Sequence, residues 1–183
     1  MKEGADRDLD PAGPQWSFAV DLYGRPGVSQ ACLVLQDRLG GDVCLLLFAL
    51  FIAREQQIGL APSDLASLDD AVADWRREVI EPLRSLRRRL KLGPDPAPSP
   101  HTNAVRHHVQ NAELAAEQIE LAMLARCFKR RGHVGATLSA DAAAVLDRLA
   151  RFFCLRSAQP AAASTSQIRA ALKTIADAMA QPC

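Results

Sequence analysis

The sequence predicts an all-α protein, a compact helical bundle with a central buried helix and a long helical hairpin. Three observations lead there. Apolar residues recur at steps of three and four through most of the 183 residues, the spacing that places side chains on one face of a helix. No stretch alternates apolar and polar residues as a half-buried strand does, and the hairpin pairs Asn-Gly and Asp-Gly are absent. From Val43 to Ala53, eleven consecutive residues carry no polar side chain, a pattern for a helix surrounded by others.

Residues 1–13, rich in charge, glycine and proline, read as a disordered leader without the basic and apolar regions of a signal peptide. The first helix runs from about Pro14 to Leu22, with Trp16, Val20 and Tyr23 on one stripe. Pro26 and Gly27 suit the central positions of a type II turn. Ser29 is the expected N-cap of the second helix, which ends at Gly40-Gly41. Asp42 then caps the third, closed by Gly59. Its eleven apolar residues span roughly 17 Å, against about 30 Å of bilayer hydrocarbon, so no membrane insertion is expected.

The fourth helix starts at Ser63 or Ser67 and carries Leu65, Leu68, Val72, Trp75, Val79, Leu83, Leu86 and Leu90 on one face. Pro82 lacks an amide donor and crowds the carbonyl of Glu78, which predicts a kink between Glu78 and Pro82. Four prolines, at 94, 96, 98 and 100, make a semi-rigid spacer. The fifth helix covers about Asn103 to Arg130. Val105, Val109, Ala112, Ala116, Ile119, Met123 and Cys127 mark its apolar side. After the breaker RRGHVGATLS, two shorter helices follow, Ala140 to Leu155 and Ser166 to Ala180, joined by a flexible link. The expected organisation is a helical domain over 14–131 and a C-terminal extension over 132–183.

Net charge is +1, too little to attract nucleic acid as a whole, and none is expected as a partner. Five cysteines, none in a C-x-x-C pair, read as free thiols in a reducing cytoplasm. No metal or other cofactor is expected: His and Cys lack ligand clustering, and His107 and His108, being adjacent, point apart on a helix. Asp69, Asp70 and Asp74 have a spacing distantly like an isoprenoid-synthase metal motif. They read better as acids complementing a helix N-terminus. Phosphate loops, G-x-S-x-G elbows and H-E-x-x-H are absent, so no catalytic residue is assigned.

Several segments resemble one bacterial family of small all-helical proteins, a domain of unknown function. They are WSFAVDLYGRPGVSQACLVLQ, DVCLLLF, WRREVIEPLRSLRR and RHHVQNAELAAE. The resemblance spans about residues 14 to 130, with departures at Phe51 and Gln118. It implies a helical fold and brings no activity.

Candidate surfaces therefore come from the residues themselves. Arg84, Arg87, Arg88, Arg89 and Lys91 form a basic cluster, read as a solvated or internally paired face beside the acids from Asp64 to Glu81. Arg106, Gln110, Glu113, Glu117 and Glu120 form a polar stripe. An antiparallel hairpin over the proline spacer would set Arg77 near Glu117, and Arg84 near Gln110 and Glu113. Tyr23 and Arg25, at a demanding turn, can act as a clamp or a simple corner. Trp16, Trp75, Arg77, Arg84, Arg88, Arg106, Glu113 and Glu117 join them as the candidate ligand or partner surface. The expected role is a non-enzymatic cytoplasmic interaction or adaptor module, binding another protein or itself through the fifth helix. The alternative is a binder or enzyme for a small apolar, isoprenoid- or lipid-like ligand. A cavity lined by Trp16, Tyr23, Trp75 and Arg84 would favour the alternative; a filled core beside an exposed apolar groove would favour the adaptor.

Overall fold

The computed structural model describes residues 9–131, 138–156 and 165–181. Residues 1–8 of the expected leader, the middle of the breaker (132–137), most of the flexible link (157–164) and residues 182–183, with Cys183, lie outside the described residues. Among the described residues the architecture is helix packed on helix: α1 (Pro14–Gly24), α2 (Val28–Leu39), α3 (Val43–Gln56), α4 (Pro62–Trp75), a π-turn (Arg76–Ile80), α5 (Glu81–Leu92), α6 (Pro100–Arg131), α7 (Ala142–Arg156) and α8 (Thr165–Met179).

The apolar run forms α3, and every residue from Cys44 to Ala53 is buried. Helices α1, α2, α4, α6 and α7 all pack against it. Leu46 and Phe48 are each 1% exposed, as a central helix requires. Phe48 sits between the rings of Phe51 and Phe128, and Phe18 of α1 meets Phe51 edge-on at 5.7 Å. Helices α7 and α8 contribute Val145, Leu149, Phe153 and Ile175 to the same core, and α8 lies along α2. No helix among the described residues is long and apolar enough to cross a membrane.

Local chemistry sets the boundaries. The 25–28 corner is the type II turn: Val28 N–H donates to Arg25 O at 3.1 Å, and Gly27 has φ 81°. Gly27, rather than the expected Ser29, is the N-cap of α2. Gly40 ends that helix at φ 63°, with Gly41 N–H returning to Leu35 O. Asp42 caps α3 as expected, its Oδ1 accepting from Leu45 N–H at 2.6 Å. Helix α3 ends at Gln56, short of Gly59. Helix α4 begins at Pro62, ahead of both predicted starts, because Asp64 reaches back to Ala61 N–H at 3.0 Å and proline fits the first turn. Helix α6 likewise starts early, at Pro100. Ser99 N–H donates to Thr102 Oγ1 at 2.8 Å and Thr102 N–H to Ser99 Oγ at 3.2 Å, a reciprocal cap.

The irregularity predicted near Pro82 is the π-turn. Glu81 N–H donates to Arg76 O, five residues back. The wider turn takes up the bond that Pro82 cannot make and relieves its ring of the preceding carbonyl. One extra residue in the turn rotates everything after it by about 100°. The apolar stripe of the fourth helix is corrected accordingly. Leu65, Leu68 and Val72 are buried as expected, but Ile80, at the end of the turn, is buried in place of Val79, and Leu86 is 46% exposed. Arg84 and Arg87 rotate partly inward.

Two other stripes are shifted. In α1 the buried residues are Gln15, Ala19 and Leu22, while Val20 and Tyr23 are exposed. Helix α1 turns one side to α3 and presents the next to the flank of α6. In α6 the buried set is Glu113, Ala116, Glu120, Leu121, Ala122 and Leu124, and Val105 and Leu114 face solvent. The first half of α6 extends past the core with α5 as its neighbour, and α5 itself has no fully buried residue.

Candidate functional site

The seam between α4–α5 and α6 holds an ion-pair network. Arg76, four residues after the buried Val72 and so on the same inward face, donates through Nη1 to Asp69 Oδ1 at 2.7 Å and through Nε to Glu120 Oε1 at 3.2 Å. The same Nε lies 2.8 Å from Asp42 Oδ2. Asp42 thus caps α3 with one oxygen and holds Arg76 with the other. Arg156 of α7 closes the far side, pairing with Asp69 at 3.1 Å and Asp70 at 2.8 Å. One guanidinium therefore ties together the start of α3, the middle of α4 and α6. Asp69 and Asp70, weighed as metal ligands, serve these arginines, and Asp74 pairs with Arg77 in solvent.

Burial pushes the Glu120 carboxyl up to about 8, with the Asp42 charge adding to it and Arg76 opposing. Burial likewise holds the Cys44 thiol well above its ordinary range, helped by Glu120 and Asp42. That thiol, its Sγ 3.9 Å from Glu117 O, is a poor nucleophile. Asp42, Cys44 and Glu120 bring one metal-binding atom each within 4.8 Å of one another. The guanidinium of Arg76 already stands against both carboxylates, so the cation there is supplied by the chain itself.

One turn further along the hairpin lies a second cluster. Arg84 donates through Nε to Glu113 Oε1 at 3.0 Å and through Nη2 to Glu117 Oε1 at 2.7 Å. Arg87 Nε donates to Glu113 Oε2. Burial is the largest single effect and raises the Glu113 carboxyl, but the two arginines together outweigh it and hold it below the usual range. Glu117 goes the other way: burial raises it more than Arg84 lowers it. The predicted pairing of Arg84 with Glu113 is present. That of Arg77 with Glu117 is corrected: Arg77 lies on the outside of the π-turn, bonded to Asp74 and Glu78, and Arg84 takes its place.

This second cluster forms the floor and one wall of an open groove of about 610 Å³ between α1, α2, α5 and α6. Its apolar edges are Val20 and Tyr23 of α1, Leu33 of α2 and Leu114 of α6, which are 37% to 53% exposed. Trp16 and Leu47 lie deeper. Arg88 and Lys91 of α5 continue the wall outward, and Asp37 stands on the α2 side. Thus Trp16, Tyr23, Arg84, Arg88, Glu113 and Glu117 are brought to one place.

The other candidates are elsewhere. Arg25 Nη1 donates to Ala178 O at 2.6 Å and Gln181 O at 3.1 Å, finishing the end of α8. Trp75 Nε1 donates to Ala116 O at 3.0 Å, inside the α4–α6 seam. Arg77 faces solvent, and Arg106 lies a turn beyond Gln110, outside the groove. Leu33, Asp42 and Arg76 were not among the candidates, and Asp69 was weighed only as a metal ligand. Asp42 was legible only as a cap, and the charge of Arg76 masks its place on the inward face, four residues after Val72.

Together these features define an all-α bundle whose long hairpin carries a buried arginine–carboxylate network beside an open groove. Residues 14–124 match the family described as "Protein of unknown function (DUF2390)", and the chain belongs to that family. The matched segment contains every residue that lines the groove. No curated protein and no solved structure matches the chain.

Proposed function

We propose that the protein is a non-enzymatic interaction module whose docking surface is the groove between α1, α2, α5 and α6. The observation that carries this reading is the gathering of Val20, Tyr23, Leu33 and Leu114 at one open groove. Contiguous exposed apolar side chains are costly in water, and a bound surface removes that cost. A small apolar ligand needs most of its own surface enclosed. A groove with half-exposed walls suits a segment of another protein better, and Trp75, which a closed ligand cavity would have used, is committed to α6.

Photo-crosslinking residues placed at Val20 and at Leu114 in the source organism test the reading. Leu155, 87% exposed on α7 and away from the groove, is the control. Both groove positions should label the same protein, and Leu114→Glu should abolish labelling from position 20. Equal labelling from position 155, or none from the groove, would overturn it.

A further inference from the structure

We infer that the groove takes an amphipathic helix of a partner protein, with carboxylates along the flank of its apolar stripe that faces α5. This rests on the docking reading above and adds the chemistry of the partner.

Most acids of the hairpin are already committed, and Glu81 lies outside the groove. Asp69 and Asp70 serve Arg76 and Arg156, Asp74 and Glu78 serve Arg77, and Glu113 and Glu117 serve Arg84 and Arg87. The balance expected between the basic cluster and the acids from Asp64 to Glu81 is therefore not made in space. Arg88 and Lys91 have no acidic partner among the described residues, and both border the groove beside Leu114. Their wall presents two exposed cations next to an apolar strip, while the opposite wall carries Asp37. A helix fits that arrangement when its apolar stripe meets Val20, Tyr23, Leu33 and Leu114 and carboxylates along one flank reach Arg88 and Lys91.

The rival occupants fit less well. A second copy offering its own exposed hairpin residues, Leu86, Leu92 and Val105, would bring Arg89 and Arg106 toward the same basic wall. Nucleic acid would use the two cations but leave the aliphatic strip of Val20, Leu33 and Leu114 without a partner.

A display library of helix-biased peptides of about 15 residues, some 22 Å as a helix, selected on the full-length protein, tests this. Enriched peptides should carry an apolar stripe with Asp or Glu on one flank. Arg88→Glu with Lys91→Glu should weaken them by about tenfold or more, and Lys-for-Glu versions of the peptides should recover on that double variant. Both positions are exposed, so circular dichroism should be unchanged. Enriched peptides that lack acidic flanks, or ignore the double variant, overturn this inference and leave the docking reading standing. If no peptide is enriched, or binding ignores Val20→Glu and Leu114→Glu, both fail. Binding of a single-stranded oligonucleotide that needs Arg88 and Lys91 but not Val20 also overturns the inference.

Discussion

Arg76 Nε lies 3.2 Å from Glu120 Oε1, across the seam between the two long helices, with the carboxylate only 1% exposed. Asp42 and Asp69 stand on the same guanidinium, at 2.8 and 2.7 Å. Desolvated charges of this kind are held by their partners, so removing the shared cation leaves Asp42 and Asp69 poorly compensated and Glu120 without its donor. Arg76→Met should cost about 3–5 kcal/mol, the range for breaking a buried pair, read as a lower midpoint in urea unfolding. Arg77→Met, one residue along but in solvent, should change the midpoint little.

Glu120 also sets a pH dependence. In the unfolded chain its carboxyl releases a proton near 4.5; in the folded protein it holds the proton to about 8. Between those values the folded state binds more protons, so this group lowers stability as pH rises. Glu120→Gln keeps a neutral side chain throughout. The variant should gain on the wild type as pH is raised from 6 to 9, measured by urea unfolding at each pH. A constant difference across that range would show that Glu120 is ionised throughout. Glu113, held low by Arg87 and Arg84, has the opposite sign. The stability it contributes is present above the ordinary carboxylate range and lost as pH falls through its folded value, so the cost of Glu113→Gln should shrink in acid.

The hairpin register can be read by coupling. A double-mutant cycle on Arg84 and Glu117, 2.7 Å apart and mostly buried, should give an interaction of about 1–3 kcal/mol. The cycle on Arg77 and Glu117 should give less than about 0.5 kcal/mol. The reverse order would place Arg77, not Arg84, against α6.

Gly27 adopts φ 81° between α1 and α2, and a Cβ there would meet Thr174 Cγ2 of α8 at 3.2 Å. Gly27→Ala should therefore lower stability by about 1–2 kcal/mol from the left-handed backbone alone, seen as a reduced melting temperature. Gly24→Ala, with open space at its Cβ, is the matched control and should be near neutral or slightly stabilising.

Much of this fold is written locally. A helix apolar on all sides has no solvent face, so Val43 to Ala53 had to lie at the centre. Asp42, Gly40-Gly41 and the Pro26-Gly27 corner act through the backbone of their immediate neighbours, and short-range chemistry is what a linear reading can follow. The irregularity at Pro82 was likewise legible, because a missing donor must be accommodated somewhere near it.

Its form was not. Choosing a π-turn over a simple bend inserts one residue into the helical phase, and that choice depends on the seam with α6. From it follow the burial of Ile80, the exposure of Leu86, and the exchange of Arg77 for Arg84 as the partner of Glu117. The groove has the same origin. Trp16, Val20 and Tyr23 form a helical stripe that periodicity assigns to a core, yet only part of it finds one. The area that neighbouring helices leave uncovered is a property of their packing angles and lengths, fixed between elements and not within any of them. The sequence by itself determined the helices, the central position of α3 and the family. The tertiary structure decided which arginines meet which acids, and which apolar stripe stays open to a partner.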